Sequence, residues 1–124
     1  MIQGIKYCKL SRAIDRKSKD FMDIVDFVRK EVDKWLLTHK SVCVQDLFGG
    51  ENYFWHRKGF PISHYWDAFY DKYIDNGCCE EEAQERATEQ AGIAVGYVLK
   101  YVLINDSRTF RQSKEFMHNI YYIV

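Results

Sequence analysis

One proline, Pro61, interrupts the whole chain, and neither sign of charge is in excess, since 18 Lys and Arg face 18 Asp and Glu. A balanced charge speaks against a nucleic-acid binder held mainly by phosphate contacts. No apolar run approaches the roughly 20 residues of a membrane span. The most apolar stretch, Ile93 to Ile104, is broken by Lys100. No membrane partner is therefore expected.

There is no Cys-x-x-Cys. Cys8, Cys43, Cys78 and Cys79 with distant histidines do not match zinc spacing. Adjacent Cys78 and Cys79 cannot pair without a strained ring. The N-terminal residues lack the apolar core of a signal peptide. The expectation is a cytoplasmic protein with reduced thiols. Gly49-Gly50 and Gly92/Gly96 have neither the strand-loop-helix context nor the Lys-Ser/Thr pair of a phosphate loop. Repeats, linkers and low-complexity tracts are also missing.

What is present is a chain of 124 residues, 47% hydrophobic and 16% aromatic. That length suits a single domain spanning residues 1–124, able to fold without staples. The aromatic content implies either a heavily aromatic core or an adhesive face. Charge is unevenly spread. Lys6, Lys9, Arg12, Arg16, Lys17 and Lys19 face only Asp15 near the start, and Glu80 to Glu89 holds one cation, Arg86. Such asymmetry can complement itself within the fold or serve homo-oligomerisation.

Periodicity predicts the helices. Phe21, Val25, Val28, Val32 and Trp35 recur at spacings of three and four, giving an amphipathic helix from Lys19 to about His39. Ser18 or Asp20 caps it. Ser41 to Phe48 fits either a short helix or a strand. Trp66, Phe69, Tyr70 and Tyr73 form a second stripe, started by Ser63 and stopped by Asn76-Gly77. A longer helix follows from Cys79 or Glu80 to Ile104, with an acidic first turn suited to its dipole. Gly92 and Gly96 in its interior predict a smooth patch approached by another helix or an aromatic ring. A last helix is expected from Arg108 to His118. Ile5 to Leu10 and Asn119 to Val124 could pair as strands. The expected fold is mainly α, with three or four helices and a small sheet built from the two chain ends.

Two constellations carry candidate chemistry. Tyr53, Phe54, Trp55, His56, Arg57 and Lys58 lie between Gly49-Gly50 and Gly59, off any amphipathic stripe. Aromatic faces with adjacent cations stack bases or anchor protein interfaces. Arg108 and Arg111, on one face of the expected last helix with Lys114, could hold an anion. The acids come second. Glu82 and Glu85 on one helix, and Asp23 and Asp26 on another, share a face by spacing and could hold magnesium between them. The run Glu81-Glu82-Ala83-Gln84-Glu85 resembles the all-helical nucleotide pyrophosphohydrolases, in which acidic pairs on neighbouring helices hold magnesium against phosphates. The resemblance covers those residues alone. The family's second acidic pair has no counterpart, because that region reads Arg108-Thr109-Phe110-Arg111-Gln112.

With no motif that carries a mechanism, the expected function is a non-catalytic interaction module with a protein partner and no cofactor. By analogy of size and style alone, it could serve as a phage or mobile-element accessory protein that inhibits or regulates a host protein. The alternatives are a metal-dependent enzyme like the pyrophosphohydrolases, using Glu82, Glu85, Asp23 and Asp26, and an RNA- or nucleotide-binding protein using Trp55, Arg57 and Lys58.

Overall fold

The computed structural model describes residues 1–49 and 55–124. Helix α1 runs from Lys19 to Trp35. Its cap is Ser18, whose side chain accepts from the Phe21 backbone N–H at 3.2 Å. The helix ends four residues before His39. Trp35 donates its indole N–H to the Ser41 carbonyl at 2.8 Å, and the His39 ring stacks on it at 3.6 Å. That fold-back turns the chain into the next strand.

Ser41 to Phe48 is half strand and half helix. Strand β1 covers Ser41–Val42 and helix α2 covers Val44–Phe48. The Cys43 N–H donates to the Asp46 carboxylate at 3.0 Å and starts α2. Helix α3 (Ser63–Asp75) and helix α4 (Glu80–Ile104) are joined through Asn76-Gly77. Gly77 sits at φ +91, and the Cys78 N–H reaches back to the Tyr73 carbonyl. Such a left-handed stop needs glycine. Ser63 is the first helical residue of α3 and not its cap, which is Ile62.

Helix α4 is the backbone of the molecule, roughly 37 Å long at 1.5 Å per residue. Ala83, Ala87, Ala91, Ala94 and Val95, Val98, Leu99, Val102, Leu103 are all buried along it. Its early alanines admit the bulky side chains of α3. Trp66 of α3 donates its indole N–H to Thr88 at 3.1 Å. Phe21 of α1 meets Tyr101, near the far end of α4, edge to face at 5.9 Å.

The chain after α4 is not helical. Residues expected as a helix from Arg108 to His118 form strand β2 (Phe110–Glu115), followed by strand β3 (His118–Ile123). The antiparallel sheet has the order β1-β3-β2. Pairing explains the error. Phe110, Gln112 and Lys114 face one side and Arg111, Ser113 and Glu115 the other, and the ladder to β3 fixes that alternation. The C-terminal strand is as expected, but its partners are β1 and β2. Ile5 to Leu10 is not a strand. The N-terminal segment reaches the sheet at Phe110, whose N–H donates to the Met1 carbonyl and whose carbonyl accepts from the Gln3 N–H, with Ile2 buried between them.

Candidate functional site

The described part of the aromatic loop folds back onto the protein. Trp55 is 2% exposed. Its ring meets Phe48 at 5.4 Å and Phe60 at 6.1 Å, and Phe27 of α1 closes the cluster against Phe48 and Phe60. Four aromatic rings satisfy one another there, and the side chain has no face left for a base or a partner. The cost is one polar atom: among the described residues the Trp55 indole N–H has no acceptor. His56 stacks on Trp66 at 4.1 Å with its Nδ1 3.0 Å from the Asp67 carboxylate. Arg57 lays its guanidinium over Phe60 at 4.0 Å, and Lys58 is exposed. Trp55 therefore works as a cover on the core, which corrects its assignment as a surface anchor. Arg57 and Lys58 keep accessible charge without an aromatic platform beside them from Trp55. Tyr53 and Phe54 lie outside the described residues.

Arg108 and Arg111 do not share a helical face. Arg108 donates Nε to Asp106 at 2.9 Å and Nη2 to Asp106 and Asp33 at 2.7 and 2.6 Å. Those bonds tie the α4–β2 turn to α1. The Arg108 hydrogen bonds hold the Asp106 carboxyl below the usual carboxylate range, with burial opposing them. Asp106 in turn raises Arg108. A guanidinium already held by two carboxylates is a clamp and not an anion receptor. Arg111 lies on the solvent face of β2, over the Tyr122 ring at 4.8 Å.

The four acids are not brought together either. Asp26 lines a recess with Phe21, Tyr101 and Asn105, at the far end of α4. Glu82 and Glu85 lie near its start, roughly 25–30 Å away along the helix. Asp26 pairs with Arg29 at 3.3 Å and Glu82 with Arg86 at 2.8 Å. Asp23 instead faces Asp20 and His64, whose ligand atoms and its own all lie within 4.8 Å of one another.

Among the described residues, the two most exposed apolar side chains are ones that the sequence reading did not single out. Phe116 is 97% exposed and Met117 89%. They form the two-residue turn between β2 and β3, with φ +49 and +67. Two-residue hairpins of this hand favour Asn-Gly, because both residues must be left-handed. Bulky side chains there are strained. A signal was available in the sequence: two adjacent apolar residues stand between Lys114-Glu115 and His118-Asn119, outside any stripe.

Beside the hairpin lies a groove of about 520 Å³, lined by Gly92, Gly96 and Ile93 of α4, Val44 and Gln45 of α2, and Met117 and His118. Gln45 and His118 are joined side chain to side chain at 2.9 Å, which fixes one end of the hairpin. Gly96 meets α2 loosely. A Cβ there would come no closer than 3.9 Å, to Val44 Cγ2. The two glycines thus line an accessible groove, and Gly96 is not pressed by a close neighbour.

The groove beside these exposed apolar residues is lined by Cys8, Glu89 and Lys100 as well. Against known proteins, no family model matches the chain, and neither the curated proteins nor the solved structures contain a match to it.

Proposed function

We propose that the protein is a non-catalytic interaction module that contacts a protein partner through the β2–β3 hairpin tip, Phe116 and Met117, with the α4 groove as the flank of the contact. The observation that carries this reading is the exposure of both side chains at left-handed backbone positions. Neither residue stabilises the fold by burial, and each bears a conformational cost of about 1–2 kcal/mol. Strain of this kind gathers where surface is used for binding. Covering Phe116 and Met117 on a partner would contribute roughly 1.5–3 kcal/mol each. Methionine adapts to irregular apolar recesses, and phenylalanine supplies a rigid anchor. The balanced net charge favours a protein partner over a polyphosphate.

The test is affinity capture from the native cells with the wild type and with Phe116→Ala/Met117→Ala, quantifying proteins and nucleic acids together. The reading expects a protein retained by the wild type and lost by the double variant. Equal retention by both refutes it. Loss of a bound nucleic acid in place of a protein would reassign the hairpin, with Arg111 and Lys114, to RNA binding.

A further inference from the structure

We propose that Asp20, Asp23 and His64 form a site for one divalent transition-metal ion of the zinc class, which clips the start of α3 to the start of α1. Asp20 and Asp23 are three apart on one face of α1, and His64 comes from the first turn of α3. One ligand atom from each lies within 4.8 Å of the other two.

The separation between His64 and Asp20 fits two ligands of one ion better than it fits direct contact. His64 Nε2 and Asp20 Oδ1 are 3.6 Å apart, too long for a hydrogen bond. Two ligands on one tetrahedral zinc, bonded at about 2.0–2.1 Å, sit about 3.3 Å apart. Small side-chain rotations would close the remaining gap. Charge argues the same way. Two carboxylates this close repel, and among the described residues no Lys or Arg lies within ion-pair distance of either. A dication turns that repulsion into attraction and leaves a neutral centre. One imidazole with two carboxylates suits zinc, cobalt, manganese or iron(II), whereas magnesium and calcium prefer oxygen alone. All three side chains reach solvent, so water can complete the coordination. Closing the site would also steady residues 55–62, which lead into α3.

The site does not depend on the hairpin reading, and its test uses the metal alone. Calorimetric titration of the metal-free full chain with zinc chloride should show one ion per chain. His64→Ala and Asp20→Asn should each weaken binding by about tenfold or more. Circular dichroism checks that each variant folds, and Asp23→Asn replaces any that does not. Cobalt substitution identifies the donors. Imidazole and carboxylate ligands give only weak visible bands, whereas Cys78 or Cys79 would add strong thiolate charge transfer. No zinc binding, unchanged affinity in the variants, or a thiolate band would each overturn the proposal.

Discussion

Replacing Phe116 by Asn and Met117 by Gly should make the protein more stable while removing its contact residues. Both positions are left-handed, at φ +49 and +67. A non-glycine residue there costs about 1–2 kcal/mol, so the pair stores roughly 2–4 kcal/mol. Asn tolerates this region and Gly has no penalty in it. The exposed side chains contribute little by packing, so their loss costs little. Glycine also loosens the unfolded chain, which takes back roughly 0.5–1 kcal/mol. The net gain is about 1–3 kcal/mol, or a rise in Tm of at least roughly 3 °C for a domain of this size. Thermal unfolding followed by circular dichroism reads it directly. Phe116→Ala/Met117→Ala keeps the strain and should leave Tm nearly unchanged. A lower Tm for the Asn-Gly variant would mean that the tip is packed or that the turn is not left-handed, which would refute a strained contact at the tip.

Trp55→Ala should cost roughly 3–5 kcal/mol in urea unfolding, as removal of a buried aromatic does; a change near zero would show the ring to be free. Arg108→Ala should cost about 1–3 kcal/mol, because the nearly buried Asp106 carboxylate loses both guanidinium bonds and keeps only the backbone N–H of residue 108. The folded pKa of Asp106 lies below its unfolded value, so its contribution is complete above about pH 4 and fades as pH falls through the lowered value. Stability measured down that acid range should fall less steeply in Asp106→Asn than in the wild type, and parallel curves would contradict the assignment. Gly96→Ala should raise stability by roughly 0.5–1 kcal/mol, since a Cβ meets only Val44 Cγ2 at ordinary contact distance. A loss there would mean that the groove closes more tightly than its geometry indicates.

The helices were legible where burial runs along one local stripe. Phe21 to Val32 in α1 and Ala83 to Val102 in α4 repeat with helical spacing, and the caps at Ser18 and Gly77 stood beside them. The hairpin was not legible. Phe116-Met117 lacks the residues that normally mark such a turn, and β2 is polar on much of both faces. Only pairing with β3 decides its conformation. Trp55 misled for a related reason. Local sequence shows a loop, but Phe48 and Phe60 beside the ring, and Phe27 packed against both, come from three separate segments. Arg108 was found as a charged residue, whereas its role depends on Asp33, far away in the chain. The Asp20–Asp23–His64 group is likewise made by the packing of α3 beside α1.

Under the proposed function, the hairpin tip meets a protein. A photo-crosslinking phenylalanine analogue placed at position 116 and, as a control, at the likewise exposed Leu37 reads that contact when the native cells are irradiated. A discrete protein adduct is expected from position 116 and not from position 37. No adduct at 116, or the same adducts from both positions, would contradict it.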